Sequence, residues 1–228
     1  MVPHMGESSL SERLKRDNND LWALLPQHPF VKALYSGDLP LDRFRFYAVQ
    51  DYNYLVGLVK SLSLAASKSW DFDVARLALS HASFLASTEM ENYEKLLGEL
   101  GLSLSEVLRE EPAPTNEAYV NFMIATCSTG TALECMVSLL PCYWSYRDIA
   151  LANRELLENN GVDLYRRWAS VYLSREYGDA VDEYRRAVDR LWEEEGGVYQ
   201  RLNRIFRKAV RYEYMFWDMA WNMEKWPV

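Results

Sequence analysis

Nearly every segment of the chain carries its apolar residues at three- and four-residue spacing, and no run alternates Val, Ile or Thr with polar residues between turn signals. That period builds helices and leaves nothing to pair into a sheet, so the expected fold class is all-α. Ten Gly and eight Pro among 228 residues exclude disordered or collagen-like bulk. No linker of domain-boundary length and no internal repeat interrupts the pattern. The expectation is a single helical-bundle domain over residues 10–228, with about eight or nine helices, preceded by a disordered tail or cloning remnant at residues 1–9.

Start and stop signals place the elements. A first helix is expected from Leu10 to Leu25, ending at Pro26. A His28-Pro29-Phe30 corner then leads into a short helix through Tyr35 that stops at Gly37. Long helices follow over Asp42 to Ser69, with Asp42 as N-cap or first-turn acid, and over Asp73 to Leu100, with Gly101 as C-cap. A short helical piece fills 103–111. Thr115 to Ser128 is expected to be capped by Thr115, Thr131 to Glu158 to form another long helix, and 163–173, 176–195 and 198–223 to complete the set.

Lys and Arg number 25 against 33 Asp and Glu, a formal charge of −8 that repels phosphate backbones and excludes nucleic acid as the expected partner. The strongest apolar run, Met136 to Trp144, contains Pro141 and falls far short of the ~20 residues a membrane helix needs. Residues 1–9 hold no apolar stretch of signal-peptide length, so export is not expected. Three cysteines, Cys127, Cys135 and Cys142, without Cys-x-x-Cys spacing, fit neither a disulfide framework nor a zinc site. A soluble protein in a reducing cytoplasm is the expectation. The aromatic share of 14%, with 15 Tyr and 8 Trp, suits either a thick helical core or a flat heteroaromatic ligand.

Three residues stand out chemically. Cys142 follows Pro141 within Leu139-Leu140-Pro141-Cys142-Tyr143-Trp144. Proline removes one backbone hydrogen bond and crowds the carbonyl of Val137, so a kink is expected there that can aim a thiol into a cavity. An inert buried cysteine beside a packing kink is the bland alternative. Asp51 shares a helix face with Tyr47 and Tyr54, and an acid on a buried face is costly unless paired, with a ligand or with tyrosine hydroxyls. Glu213 borders Phe216 and Trp217, though a lone helical glutamate is usually solvated.

The three histidines do not supply a base for Cys142: His4 is in the tail, His28 precedes a proline, and His81 reads as a satisfied helix-face residue. There is no glycine-rich phosphate loop, no G-x-S-x-G elbow, and no His-Glu-x-x-His or Glu-x-x-His metal motif. No metal or other cofactor is expected.

His28-Pro29-Phe30, Leu39-Pro40, Gln50-Asp51 with Tyr54, Ser80-His81-Ala82, Leu140 to Trp144, and Glu213-Tyr214 with Phe216-Trp217 occur in the order found in the thiaminase II (TenA) family. The chain resembles that family over essentially its whole length, and specifically its cysteine-containing branch. The resemblance implies a haem-oxygenase-like fold, a homotetramer and a role in thiamin salvage. It implies that Cys142 is the nucleophile, that Asp51 binds the pyrimidine amino group, and that Glu213 exchanges a proton with the ring. Tyr54, Tyr119, Tyr146 and Tyr172 match tyrosines that line the pyrimidine pocket. Some relatives carry histidine four residues after the counterpart of Glu89, where this chain has Tyr93.

Thiolate addition to an electron-poor aminopyrimidine is eased when a ring nitrogen is protonated as the bond forms, and Glu213 can supply that proton without any histidine. The expected activity is hydrolysis of aminomethyl-aminopyrimidine, and of thiamin as a further substrate, to hydroxymethylpyrimidine. Two carboxyls in one pocket push one pKa upward, here expected to be that of Glu213. The alternatives are a non-catalytic, regulatory pyrimidine-binding protein and haem chemistry, the latter hampered by the position of His28.

Overall fold

The computed structural model describes residues 9–228, all of whose regular structure is helical. The expected tail lies outside the described residues except for Ser9, which is ordered and caps the first helix by accepting from the Glu12 amide.

The helices are α1 (Leu10–Asp17), α2 (Asn19–Trp22), α3 (Pro29–Ser36), α4 (Leu41–Lys68), α5 (Phe72–Phe84), α6 (Met90–Glu99), α7 (Leu104–Val107), α8 (Pro114–Thr129), α9 (Ala132–Ala152), α10 (Arg154–Glu158), α11 (Asp163–Ser170), α12 (Arg175–Glu195) and α13 (Tyr199–Asn222). The apolar run read from the sequence becomes the centre of the molecule. From Cys135 to Pro141 every residue of α9 is buried, and α4, α8, α12 and α13 pack around it. One continuous apolar cluster joins them. No helix among the described residues is long and apolar enough to cross a membrane.

Several expected boundaries move, each for a local reason. The first expected helix breaks at Asn18, whose side-chain amide donates to the Leu14 carbonyl at 2.8 Å and so takes the acceptor the next turn would use. The helix expected to Glu158 also breaks at Asn153, whose side-chain amide and backbone N–H both donate to Ile149 O, at 3.0 and 3.1 Å. α4 begins after Pro40, so Asp42 is a first-turn acid rather than the cap. Thr115 is not the cap of α8 either. Pro114 is its first residue, and the Glu224 carboxylate receives both the Thr115 amide (2.9 Å) and its hydroxyl (3.1 Å). The helix expected from Asp73 to Leu100 is interrupted by a π-helical turn, Leu85–Glu89, a widening that frequently accompanies functional sites. Gly37 and Gly101 adopt φ of +90° and +67°, as helix-ending glycines do.

Two features fix α8. At Gly57 an added Cβ would lie 2.6 Å from Val120, so α4 and α8 approach as closely as they do because that position has no side chain. Cys127 of α8 is disulfide-bonded to Cys135 of α9, and both residues are fully buried. The expectation that the cysteines fit no disulfide framework is thereby corrected for this pair, and Cys142 is the free cysteine among the described residues. The physical reason is proximity: the short Gly130-Thr131 connection folds α9 back along α8 and brings the two Cα atoms to 4.3 Å.

Candidate active site

Four helices bring their polar residues together at one place in the interior. α4 contributes Tyr47, Asp51 and Tyr54 from one face, α8 contributes Tyr119, α9 contributes Cys142, Ser145 and Tyr146 at three- and four-residue intervals, and α13 contributes Glu213. Tyr172, on the 3-10 turn Val171–Leu173, completes an aromatic wall with its ring 4.9 Å from that of Tyr146. All seven candidates from the sequence therefore line one site.

Glu213 is only 3% exposed, unlike the solvated glutamate its helix position first suggested. Tyr119, itself 1% exposed, donates from Oη to Glu213 Oε1 at 2.5 Å, and the Ser145 hydroxyl lies against the same carboxyl. Burial nevertheless dominates and pushes the Glu213 pKa up to about 7. Burial also raises Asp51, to about 8, with the charges of Glu89 and Glu213 adding to it. Only one raised carboxyl was expected, and the site holds two. The two carboxyls titrate as a coupled pair, the charge on one opposing ionisation of the other. Glu89, which closes the π-helical turn, is also raised by burial and is a third carboxyl facing Asp51.

Burial likewise pushes the Cys142 thiol well above its usual range, reinforced by Glu213 and Asp51, while the Tyr54 hydroxyl acts in the opposite direction. These surroundings favour the protonated thiol. The histidines are engaged elsewhere, as the sequence suggested for His81, which meets the Tyr143 hydroxyl at 3.2 Å. His28 caps α3 by accepting from the Phe30 amide, and its Nε2 lies 3.3 Å from Asp218. Tyr93, the departure from some relatives, donates to Ala48 O at 2.7 Å and fastens α6 to α4 one turn before Asp51.

The cavity is unsatisfied on its own. Among the described residues the buried hydroxyls of Tyr54 and Ser145 and the indole N–H of Trp217 make no well-formed hydrogen bond, and only burial and neighbouring charge act on Asp51. Buried polar groups are normally paired. Their convergence beside a thiol, between aromatic faces, describes the outline of a flat ligand with several donors and acceptors. A wide surface groove of about 1020 Å³ between Lys68, Trp70, Thr131 and Arg190 contains none of these residues. Among the described residues, no cluster of three or more His, Cys, Asp or Glu is arranged to hold a metal.

Ser145 and Glu89 were not singled out from the sequence. Ser145 could have been found as the residue three after Cys142, on its face. Glu89 could not, because it reaches the site only through the π-helical turn, which shifts the helical register.

Neutral buried carboxyls make stability pH-dependent. Glu213 moves from an ordinary 4.5 to about 7 on folding, so the folded state holds more protons than the unfolded one between those values. Its contribution is complete below pH 4.5 and is lost as pH rises through 7. Relative to Glu213→Gln, which cannot titrate, the wild type is expected to lose about 3 kcal/mol across that window. Denaturant titrations of both proteins at several pH values check this, and parallel profiles would contradict it. Asp51 acts in the same direction, but it retains some exposure to the cavity and water there screens it.

A model of the TENA/THI-4/PQQC family matches residues 16–223. The chain is 30% identical over 224 residues, 96% of its length, to an aminopyrimidine aminohydrolase of Halalkalibacterium halodurans, of which it covers 98%. It superimposes with a TM-score of 0.89 on a TenA homologue from P. horikoshii, at 41% identity, covering 94% of this chain and 99% of that one. A TM-score of 0.70 at 14% identity to a Shewanella denitrificans domain with a heme oxygenase-like fold, covering 93% of this chain and 92% of that one, identifies the architecture.

Proposed function

Because the chain belongs to the TENA/THI-4/PQQC family, we propose that it is an aminopyrimidine aminohydrolase of the cysteine-containing kind, converting aminomethyl-aminopyrimidine and water to hydroxymethylpyrimidine and ammonia in thiamin salvage. The observation that carries this reading is the polar lining around Cys142: the Tyr54 and Ser145 hydroxyls, which no well-formed hydrogen bond holds, and the raised carboxyls of Asp51 and Glu213, set among tyrosine rings. A planar aminopyrimidine offers an exocyclic amino group to Asp51 and a ring nitrogen to Glu213.

The thiol of Cys142 adds to a ring carbon while Glu213 delivers its proton to the ring nitrogen. The vacated Glu213 carboxylate accepts the thiol proton, by way of the Tyr54 hydroxyl that lies against Cys142, so no charge is left behind. Electron density from the ring nitrogen then expels the amine, which takes the proton held by Glu213 and leaves as ammonia, while the ring N–H proton returns to the Glu213 carboxylate. Water adds to the exocyclic methylene, the carbon–sulfur bond breaks, and the thiol recovers its proton. Surroundings that favour the protonated thiol fit this order of events, because the thiol gives up its proton only as it adds to the ring. Tyr119 holds Glu213 in place through its 2.5 Å bond, and Tyr146 and Tyr172 flank the ring.

The deciding experiment supplies purified protein with aminomethyl-aminopyrimidine and with thiamin side by side. Release of hydroxymethylpyrimidine from the first supports the reading. Absence of product from both substrates, with the pyrimidine bound, would leave a binding protein instead. The tetramer implied by the resemblance belongs to this proposal, with the exposed Trp70, Phe72, Leu79 and Phe84 as its contact surface, and light scattering at the mass of four chains is its test. A cytoplasmic setting also belongs to it, with the Cys127–Cys135 disulfide, a kind of bond rare in that compartment, standing as the feature that weighs against it.

A further inference from the structure

Tyr47 sits one helical turn before Asp51 on α4 and is 2% exposed. Its ring is held by Phe30, Phe44, Trp168, Phe216 and Trp217, with centroids 5.6 to 6.1 Å away, and it stacks on Trp217 at 5.6 Å and 13°. Those rings offer its hydroxyl no lone pair of ordinary strength. Among the described residues its one hydrogen-bond partner is the Tyr146 hydroxyl, at 2.9 Å.

Two hydroxyls sharing one hydrogen bond leave one proton over, and the surroundings decide which. If Tyr146 donated, the Tyr47 proton would be left without an acceptor, because the carboxyls of Asp51 and Glu213 act on its hydroxyl only from beyond hydrogen-bond distance, and it would bear the penalty of an unpaired buried donor. Tyr146 is only half-buried and stands at the cavity, with Glu213 and Asp51 among its charged neighbours, so its own proton can meet a ligand. We propose that Tyr47 is a positioning residue that donates to Tyr146, fixing the Tyr146 proton toward an acceptor nitrogen of the bound pyrimidine. This rests on the pyrimidine reading of the site. No proton is transferred: Tyr47 sets which way the Tyr146 hydroxyl points, much as an oriented third group sets a catalytic base.

Tyr47→Phe keeps the stacked ring and removes only the donor. With Tyr146→Phe and the double variant it forms a cycle, read as kcat/KM for aminomethyl-aminopyrimidine, as calorimetric binding of hydroxymethylpyrimidine, and as thermal midpoint. Tyr47→Phe is expected to lower kcat/KM roughly two- to tenfold, the worth of one neutral hydrogen bond, and to weaken product binding in step, with the midpoint unchanged. The double variant is expected to be no worse than Tyr146→Phe alone, because the two hydroxyls act as one. Multiplying effects in the double variant, a wild-type Tyr47→Phe, or a loss of activity that only follows a fall in midpoint would each overturn the assignment. A wild type that neither binds nor converts the pyrimidine would instead overturn the function reading and this assignment together, and that result appears before any variant is compared.

Discussion

Cys142→Ser is expected to lower pyrimidine hydrolysis by on the order of 10³-fold or more while hydroxymethylpyrimidine binds within a few-fold of the wild-type affinity. A serine hydroxyl ionises far less readily than a thiol, and this site does nothing to help it. Burial, Glu213 and Asp51 already oppose negative charge at position 142, and only the Tyr54 hydroxyl favours it. Neither His28 nor His81 stands by as a base, since one caps a helix beside Asp218 and the other meets Tyr143. The shape of the pocket is unchanged by exchanging sulfur for oxygen, so binding should survive. Measuring turnover and affinity on the same preparation separates the two. A serine variant within tenfold of the wild type would mean that water displaces the amine directly and that Cys142 is a wall of the pocket.

Glu213→Gln is expected to reduce kcat by about 10²- to 10⁴-fold, the usual worth of a positioned acid–base group, with a much smaller change in KM. Glutamine keeps the bond from Tyr119 but cannot deliver a proton. The wild-type pH profile should carry the same information. With the Glu213 pKa raised to about 7 by burial, the carboxyl is a proton donor below that value and spent above it, so activity should fall as pH rises past 7. In the glutamine variant that limb should vanish. A wild-type rate that keeps climbing through pH 8 would assign Glu213 the opposite role, as a base.

What could be read in advance was the part that repeats or that travels as a motif. Three- and four-residue spacing locates the helices, and the spacing of Tyr47, Asp51 and Tyr54 by itself places them on one face. What could not be read depends on single side chains acting on the backbone or across it. Asn18 and Asn153 each turn back to the carbonyl four residues earlier and end a helix whose apolar period continues past them. The π-helical turn at Leu85–Glu89 brings Glu89 to Asp51 although nothing in its composition sets it apart. Glu213 looked like a surface residue because α13 has a strongly two-sided pattern, and its burial follows from Tyr119 reaching it from another helix. The pairing of Cys127 with Cys135 depends on how α8 and α9 lie together, which spacing alone does not encode.

That bridge spans the two helices that carry Tyr119 and Cys142. Since neither sulfur can be approached from outside while the helices are closed, a small reductant reaches it only when they part. The rate at which dithiothreitol opens the bridge in the native protein is therefore a clock for the breathing of the pocket wall, and a ligand that clasps Tyr119 and Cys142 together should slow it.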